Sequence, residues 1–149
     1  LAKPFGTTFL LKEHGIGEHL PRIQKYFPSA KIVAVALSTH LPPQEKLKKL
    51  AFAWNVLVIA SVDFAHYQPE EQTYQHDLKS IDFLEGWSGD FKDFVTNIDA
   101  DCPACLFLIN EYAQKEEQKA KFWYRDSSSS IVGRDLKEEN TSRVFMYYE

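Results

Sequence analysis

Chemistry in this sequence concentrates in a few short stretches. The first is "VLVIASVDFAHY", residues Val56 to Tyr67, an apolar and β-branched run that ends in Ser61, Asp63 and His66. A carboxylate close to an imidazole fixes its tautomer and raises its basicity. A histidine held in that way serves as general acid or base near neutral pH. A structural account competes with this one, in which Asp63 caps the turn that follows and His66 is an ordinary loop histidine. The second stretch, "EHGIGEH", carries Glu13, His14, Glu18 and His19. His14 and Glu18 are spaced to share a helix face, but the pattern is not HExxH, so a zinc-protease reading fails. A solvated helix start explains the same residues. The third stretch, "DCPAC", holds Cys102 and Cys105, the two cysteines of the chain. A thiol at a helix N-terminus gains thiolate character, which suits either a thiol redox couple or a metal ligand. A thioredoxin-type site needs a strand immediately before the motif, whereas "FVTNIDA" reads as helical. A structural zinc needs two more ligands, and no second C-x-x-C exists. Two buried, inert cysteines remain the alternative. His40 and His76 carry no partner pattern and read as surface residues.

These residues need elements to hold them. The chain has 149 residues with 44% hydrophobic composition, which suits one domain over 1–149 with a core of its own. "TTFLL" is a weak strand. In "EHGIGEHLPRIQKYF", Ile16, Leu20, Ile23 and Phe27 fall at helical spacing, with Pro21 suited to a first turn. "KIVAVALS" and "NVLVIASV" read as strands buried on both faces, because neither alternates. "PPQEKLKKLAFAW" between them has the proline and charge order of a helix. Strand, helix and strand in this spacing form a βαβ unit, with 31–37 and 56–62 adjacent and parallel and a helix over about 43–53. "EEQTYQHDLKSIDFLEGW" is an amphipathic helix with Tyr74, Leu78, Ile81 and Leu84 on one face. "DFKDFVTNI" and "CPACLFLINEYAQKE" are further helices, and "KAKFWYRDSSS" and "TSRVFMYYE" are strands joined by a polar loop. The fold class is therefore α/β, a parallel or mixed sheet flanked by helices. In such a sheet ligands collect beyond the carboxyl ends of the strands, where Asp63 and His66 stand.

The net charge of −4 is spread over the chain, and no basic stripe points to nucleic acid. The longest apolar run is too short for a bilayer, and no signal peptide pattern precedes the fold. With so few cysteines a reducing cytoplasm is the simplest compartment.

The order of these stretches resembles the Memo-like family, also called AmmeMemoRadiSam system protein B. "EHGIGEHLPRIQKYF" is similar to the family's EHSIE-x-x-LP segment, "KIVAVALS" to its IVPILVG strand, and "VIASVDFAHY" to its SSDFSHY block. "DCPACLFLIN" is similar to its CG-x-x-P segment, and "YRDSSSS" with "VFMYY" to its SS(S)…VSYAA ending. The resemblance spans this chain but only the C-terminal part of the family. It implies the fold of class III extradiol dioxygenases and a pocket for iron or copper. It implies Cys102 as a metal ligand, His66 at the position of an acid/base histidine, and Asp63 and His14 lining the same pocket, with Glu13 and Ser61 beside them. The family's ligand histidines lie in PHAGY-type and GPSHH-type segments, and neither occurs here. The family glutamate of EHSIE falls on Gly17, the glycine after the cysteine is Pro103, and Cys105 is extra. The expectation is an N-terminally incomplete Memo-like fold with a partial metal or redox-type pocket and no complete cofactor site in the chain as it stands. Iron or copper would bind if upstream ligand segments were present. Leu1 then reads as a start inside a longer architecture, and a missing N-terminal segment or a protein partner would complete the cleft. Two alternatives stay open: a non-catalytic protein- or peptide-binding module using the same cleft, and thiol redox through Cys102 and Cys105.

Overall fold

A computed structural model describes residues 12–37, 56–87 and 90–149. The chain divides into two compact units, residues 1–36 and 37–149. In the first, α1 spans His14–Gly17 and α2 spans Leu20–Tyr26. Pro21 sits in the first turn of α2, where its missing N–H leaves no acceptor unpaired. Ile16, Leu20 and Ile23 are half-buried and Phe27 is exposed.

In the second unit α3 spans Glu70–Gly86, α4 Phe91–Asn97 and α5 Pro103–Lys115. Strand β1 follows at Ala120–Ser127, the short helix α6 at Ser128–Val132, a 3-10 turn at Lys137–Glu139, and strand β2 at Ser142–Tyr148. Asp90 caps α4 by accepting hydrogen bonds from the N–H groups of Lys92 and Asp93. The "polar loop" between the strands is thus partly helical. Ser127 and Ser130 close a capping box on α6, and Gly133 ends it with φ of 74°, a left-handed conformation that favours glycine.

The fold is mixed α/β, but its described sheet is two-stranded and antiparallel, β1 against β2, with Ser127 opposite Ser142 and Ala120 opposite Tyr148. Residues 31–37 and 56–62, expected as adjacent parallel strands, carry no ladder among the described residues. The helix expected over 43–53 and the strand "TTFLL" lie outside the described residues. Residues 56–62 still alternate as a strand would. Ala60 and Val62 pack on the core while Leu57 and Ile59 are exposed. The expectation of burial on both faces therefore fails for one face, since the described residues cover only the side turned to α3, α5 and β2.

The core joins Phe64, Leu84, Phe94, Ile98, Ala104, Leu106, Phe107 and Ala120. Phe83, Trp87, Phe91, Phe94 and Phe107 meet edge-to-face, with ring centroids 4.9 to 5.7 Å apart. Such pairs contribute about 0.5–1.5 kcal/mol each beyond their burial, and here they tie α3, α4 and α5 together.

The face α3 buries is the one its hydrophobic spacing predicts in the second half, at Ile81 and Leu84, but not in the first. Tyr74 and Leu78 are exposed, whereas Thr73, Asp77, Ser80, Ile81 and Leu84 are buried. The first half of the helix turns a polar stripe inward because Arg125 of β1 is waiting there. Arg125 Nε donates to Asp77 Oδ2 at 2.6 Å and Nη1 to Glu70 Oε1 at 2.7 Å. Asp77 is fully buried. Burial pushes its carboxyl above the ordinary carboxylate value, against hydrogen bonds from Arg125, Ser142 and the Ala65 N–H. In Glu70, which is less buried, burial raises the carboxyl too, but donors from Arg125, Ser127 and Asn140 outweigh it and hold it below its ordinary value.

Removing one partner of a buried ion pair leaves the other uncompensated, at a cost of about 3–5 kcal/mol. Arg125→Ala should lose stability on that scale. The loss should grow with pH. The raised native pKa means that the folded state holds its proton more tightly than the unfolded state, so stability falls as pH rises from 3.8 through the shifted value. Without Arg125 the Asp77 shift widens and the fall deepens. Urea denaturation of the variant and the parent at about pH 4 and pH 7 checks this; an equal loss at both would show that Asp77 is not the group left uncompensated.

Candidate functional site

The turn that carries His66 is built by the polar network. Phe64 N–H donates to Ser142 O at 3.2 Å, Ser142 N–H to Ala65 O at 3.0 Å, and Tyr67 N–H to Asn140 O at 2.7 Å. Ala65 N–H reaches Asp77 Oδ1 at 3.4 Å. The Ser142 hydroxyl lies 2.8 Å from Asp77 Oδ1 and 3.1 Å from Ala65 O, and its single proton serves one of them at a time. Asn140, fully buried, donates to Glu70 Oε2 and accepts from Ser129 N–H. His66 thus forms an isolated bridge to Thr141 just ahead of β2. "NTS" in the C-terminal strand is the part of the sequence that positions a histidine more than seventy residues earlier.

His66 Nδ1 lies 2.8 Å from the carbonyl oxygen of Phe64. A carbonyl only accepts, so Nδ1 carries the proton and the neutral ring presents Nε2 as an acceptor. The carboxylate that was expected to orient the ring is therefore not what holds it; a backbone carbonyl does so. Tyr67 stacks edge-to-face on the imidazole at 4.4 Å and has φ of 60°. A tyrosine in the left-handed region is strained, and the bonds on both sides of it keep it there.

Asp63 is exposed, and its backbone is clasped to Asp101, just before α5. Asp63 N–H donates to Asp101 Oδ1 at 3.1 Å, and Asp101 N–H donates to Asp63 O at 2.9 Å. Burial and the neighbouring Asp63 charge push the Asp101 carboxyl above its ordinary value. Hydrogen bonds from the Asp63 and Cys102 N–H groups and the nearby His66 imidazole pull the other way. Asp101 is thus the residue through which Asp63, His66 and Cys102 meet. The sequence reading passed over it, although an acidic residue directly before a C-x-x-C at a helix start was there to be noticed.

Cys102 is bonded to Cys105 across the first turn of α5, with the Cα atoms 5.3 Å apart. Ser61 is exposed on the outer side of 56–62. Glu13 and His14 belong to the first unit, where Glu13 Oε1 is 3.4 Å from His14 Nδ1 and His14 is almost fully exposed. His76, read as a partnerless surface histidine, is on the surface but has a partner, Asp99 Oδ2 at 2.6 Å. His40 lies outside the described residues.

The donors at hand do not fit a transition metal in this form. Sulfur in a disulfide is no thiolate. His66 offers one nitrogen, and no group of three or more His, Cys, Asp or Glu side chains is placed to hold an ion among the described residues. What the arrangement offers is an acceptor at His66 Nε2, with the Asp101 carboxyl near enough to interact with the imidazole. No helix among the described residues is long and apolar enough to cross a membrane.

A family model described as "Memo-like protein" matches residues 5–138. A "MEMO1 family protein" of Desulfurococcus amylolyticus is 30% identical over 83% of this chain and 47% of its own length. Proteins of the same description from Thermotoga neapolitana and Pyrobaculum arsenaticum are 36% and 38% identical over 50% and 47% of this chain and 29% and 27% of theirs. The chain spans about half the length of the first of these relatives. No solved structure matches it. With the family model over residues 5–138 and a relative 30% identical over most of the chain, the chain belongs to the Memo-like family.

Proposed function

We propose that this chain carries the proton-handling part of a Memo-like pocket, without a complete metal site of its own. The single observation behind this is the Asp63–Asp101 clasp, which gathers His66 and two carboxyl groups at the start of α5. In this reading His66 Nε2 takes a proton from a bound small molecule and returns it. Asp63 and Asp101 set the local charge, and Ser61 lies on the same segment as Asp63. Parallel pairing of 56–62 within a dioxygenase-like sheet, iron or copper as cofactor, and Cys102 as ligand belong to a fuller pocket to which upstream segments would add imidazoles. The ligand count supports incompleteness, because catalytic metal sites commonly use three protein ligands.

Elemental analysis after mild chelation and reloading with iron(II), copper(I) or zinc tests the reading. The expected result is far less than one metal per chain through gel filtration. Near-stoichiometric retention, lost in His66→Ala, would show that the chain completes a site by itself. His66→Ala should also leave stability within about 1 kcal/mol of the parent, as a half-buried turn histidine contributes little packing.

The binding-module alternative has one observation in its favour, and it lies away from this cleft. Phe122, Trp123, Tyr124, Phe145 and Tyr147 are all exposed on the two strands, and Trp123, Tyr124 and Phe145 line a shallow depression of about 290 Å³. A register shift between Phe122 and Tyr124 bulges Trp123 out of the ladder. Exposed aromatic patches of this kind mark interaction surfaces. An apolar fluorescent dye should bind the parent and lose most of its signal with Trp123→Ser and Phe145→Ser combined; unchanged signal would remove this surface from consideration.

A further inference from the structure

The proton-handling reading leaves the C-x-x-C motif unused. The bond between Cys102 and Cys105 closes a ring of four residues, 102–105, at the start of a thirteen-residue helix. Stabilisation by a disulfide grows with the length of chain it closes, so this one has little to stabilise. The backbone already closes the same turn. Cys105 N–H donates to Cys102 O at 3.0 Å, and Leu106 N–H reaches the same oxygen at 3.4 Å. The residues α5 buries are Ala104, Leu106, Phe107, Asn110 and Ala113, and neither cysteine is among them. Both cysteines are partly buried, Cys102 with one side against the core, and neither is sealed from solvent.

We propose that Cys102 and Cys105 are a reversible two-electron thiol–disulfide couple that exchanges with low-molecular-weight thiols. A thiolate RS⁻ attacks one sulfur of the pair. The Cys–Cys bond breaks, an R–S–Cys bond forms, and the released cysteine sulfur takes up a proton. A second RS⁻ attacks the sulfur of R in that mixed disulfide, RSSR leaves, and the second cysteine sulfur is protonated. Two electrons pass from two thiols to the protein disulfide, and the reverse sequence restores the bond. The start of α5 favours thiolate at this turn. The Asp101 carboxylate, which accepts from Cys102 N–H, opposes it and thereby favours the bonded form. This inference does not rest on the pocket reading, and it uses Cys105, which that reading leaves without a role.

The test uses the whole purified chain equilibrated in glutathione buffers from fully oxidised to fully reduced. Samples are acid-quenched, tagged with a polyethylene-glycol maleimide and resolved by mass. The expected result is two populations, with zero or two tags, whose ratio follows the square of the reduced glutathione concentration divided by that of the oxidised form, running from near none to near complete double tagging. Near-ultraviolet circular dichroism should show the same fold at both ends. Cys105→Ser should leave Cys102 as a one-to-one glutathione mixed disulfide in the oxidised buffer. A bond that opens only when urea unfolds the chain would overturn the proposal, and so would independent single tagging of each cysteine at every ratio. Metal binding is not read in this experiment, so its failure leaves the pocket reading standing and the reverse also holds.

Discussion

Arg125 is the constraint on which the second unit depends. A guanidinium that is 10% exposed cannot stay in the fold without carboxylates, and α3 supplies Glu70 and Asp77 from one face. That requirement sets the rotation of α3. It also commits Asp77 to two further donors, Ser142 and Ala65 N–H, and thereby fastens the 64–67 turn to the start of β2. Asn140 adds a second fastening by bonding Glu70 while its carbonyl receives Tyr67 N–H. The position of His66 is therefore an electrostatic outcome, decided by a buried cation on β1, more than a result of apolar packing on either side of it.

The same network explains what could be read in the sequence and what could not. The helix at 70–86 was legible from its length, its acidic first turn and its period. The buried face of its first half was not, because counting apolar residues selects Tyr74 and Leu78, whereas the pairing of Asp77 with a residue 48 positions away turns Thr73 and Asp77 inward instead. The strand-like alternation of 56–62 was hidden for a related reason. Val56, Leu57, Val58 and Ile59 are uniformly apolar, so the sequence carries no sign of which face the described chain covers. At the candidate site Asp63, His66 and Cys102 were legible through their family-like motifs. Asp101 was legible only as an acidic residue before the C-x-x-C; its clasp to Asp63, one bond to its carboxylate and one from its N–H, is encoded by no residue spacing. The C-terminal strands were legible as strands, and their pairing with each other follows from a connection short enough to fold back.

The core and the site are thus stabilised by different means. The edge-to-face aromatic cluster holds α3, α4 and α5 as a block and tolerates adjustment, because ring pairs keep their attraction over a range of distances. The polar network tolerates adjustment less, because its buried donors and acceptors are directional and an unpaired member costs its full desolvation. Placing the proton-carrying histidine on the second system and not the first gives it a fixed tautomer and a fixed direction. The strained Tyr67 is compatible with that division. Its backbone is held from both sides, and its ring is free to sit on the imidazole at the surface.

Cys102 then carries two chemistries that exclude each other. As half of a disulfide it offers no charge and no ligand to the Asp63–Asp101–His66 group. As a thiolate it would bring a soft anion beside two carboxyls, one of which is already pushed above its ordinary value by burial and by its neighbour. Like charges crowded at one turn disfavour one another, so an open pair needs something positive to be comfortable there, whether a proton, the charged form of His66 or a bound cation. The bond to Cys105 relieves that crowding without any of these. A second sulfur three residues along the same helix is thus sufficient to close this turn in charge as well as in valence.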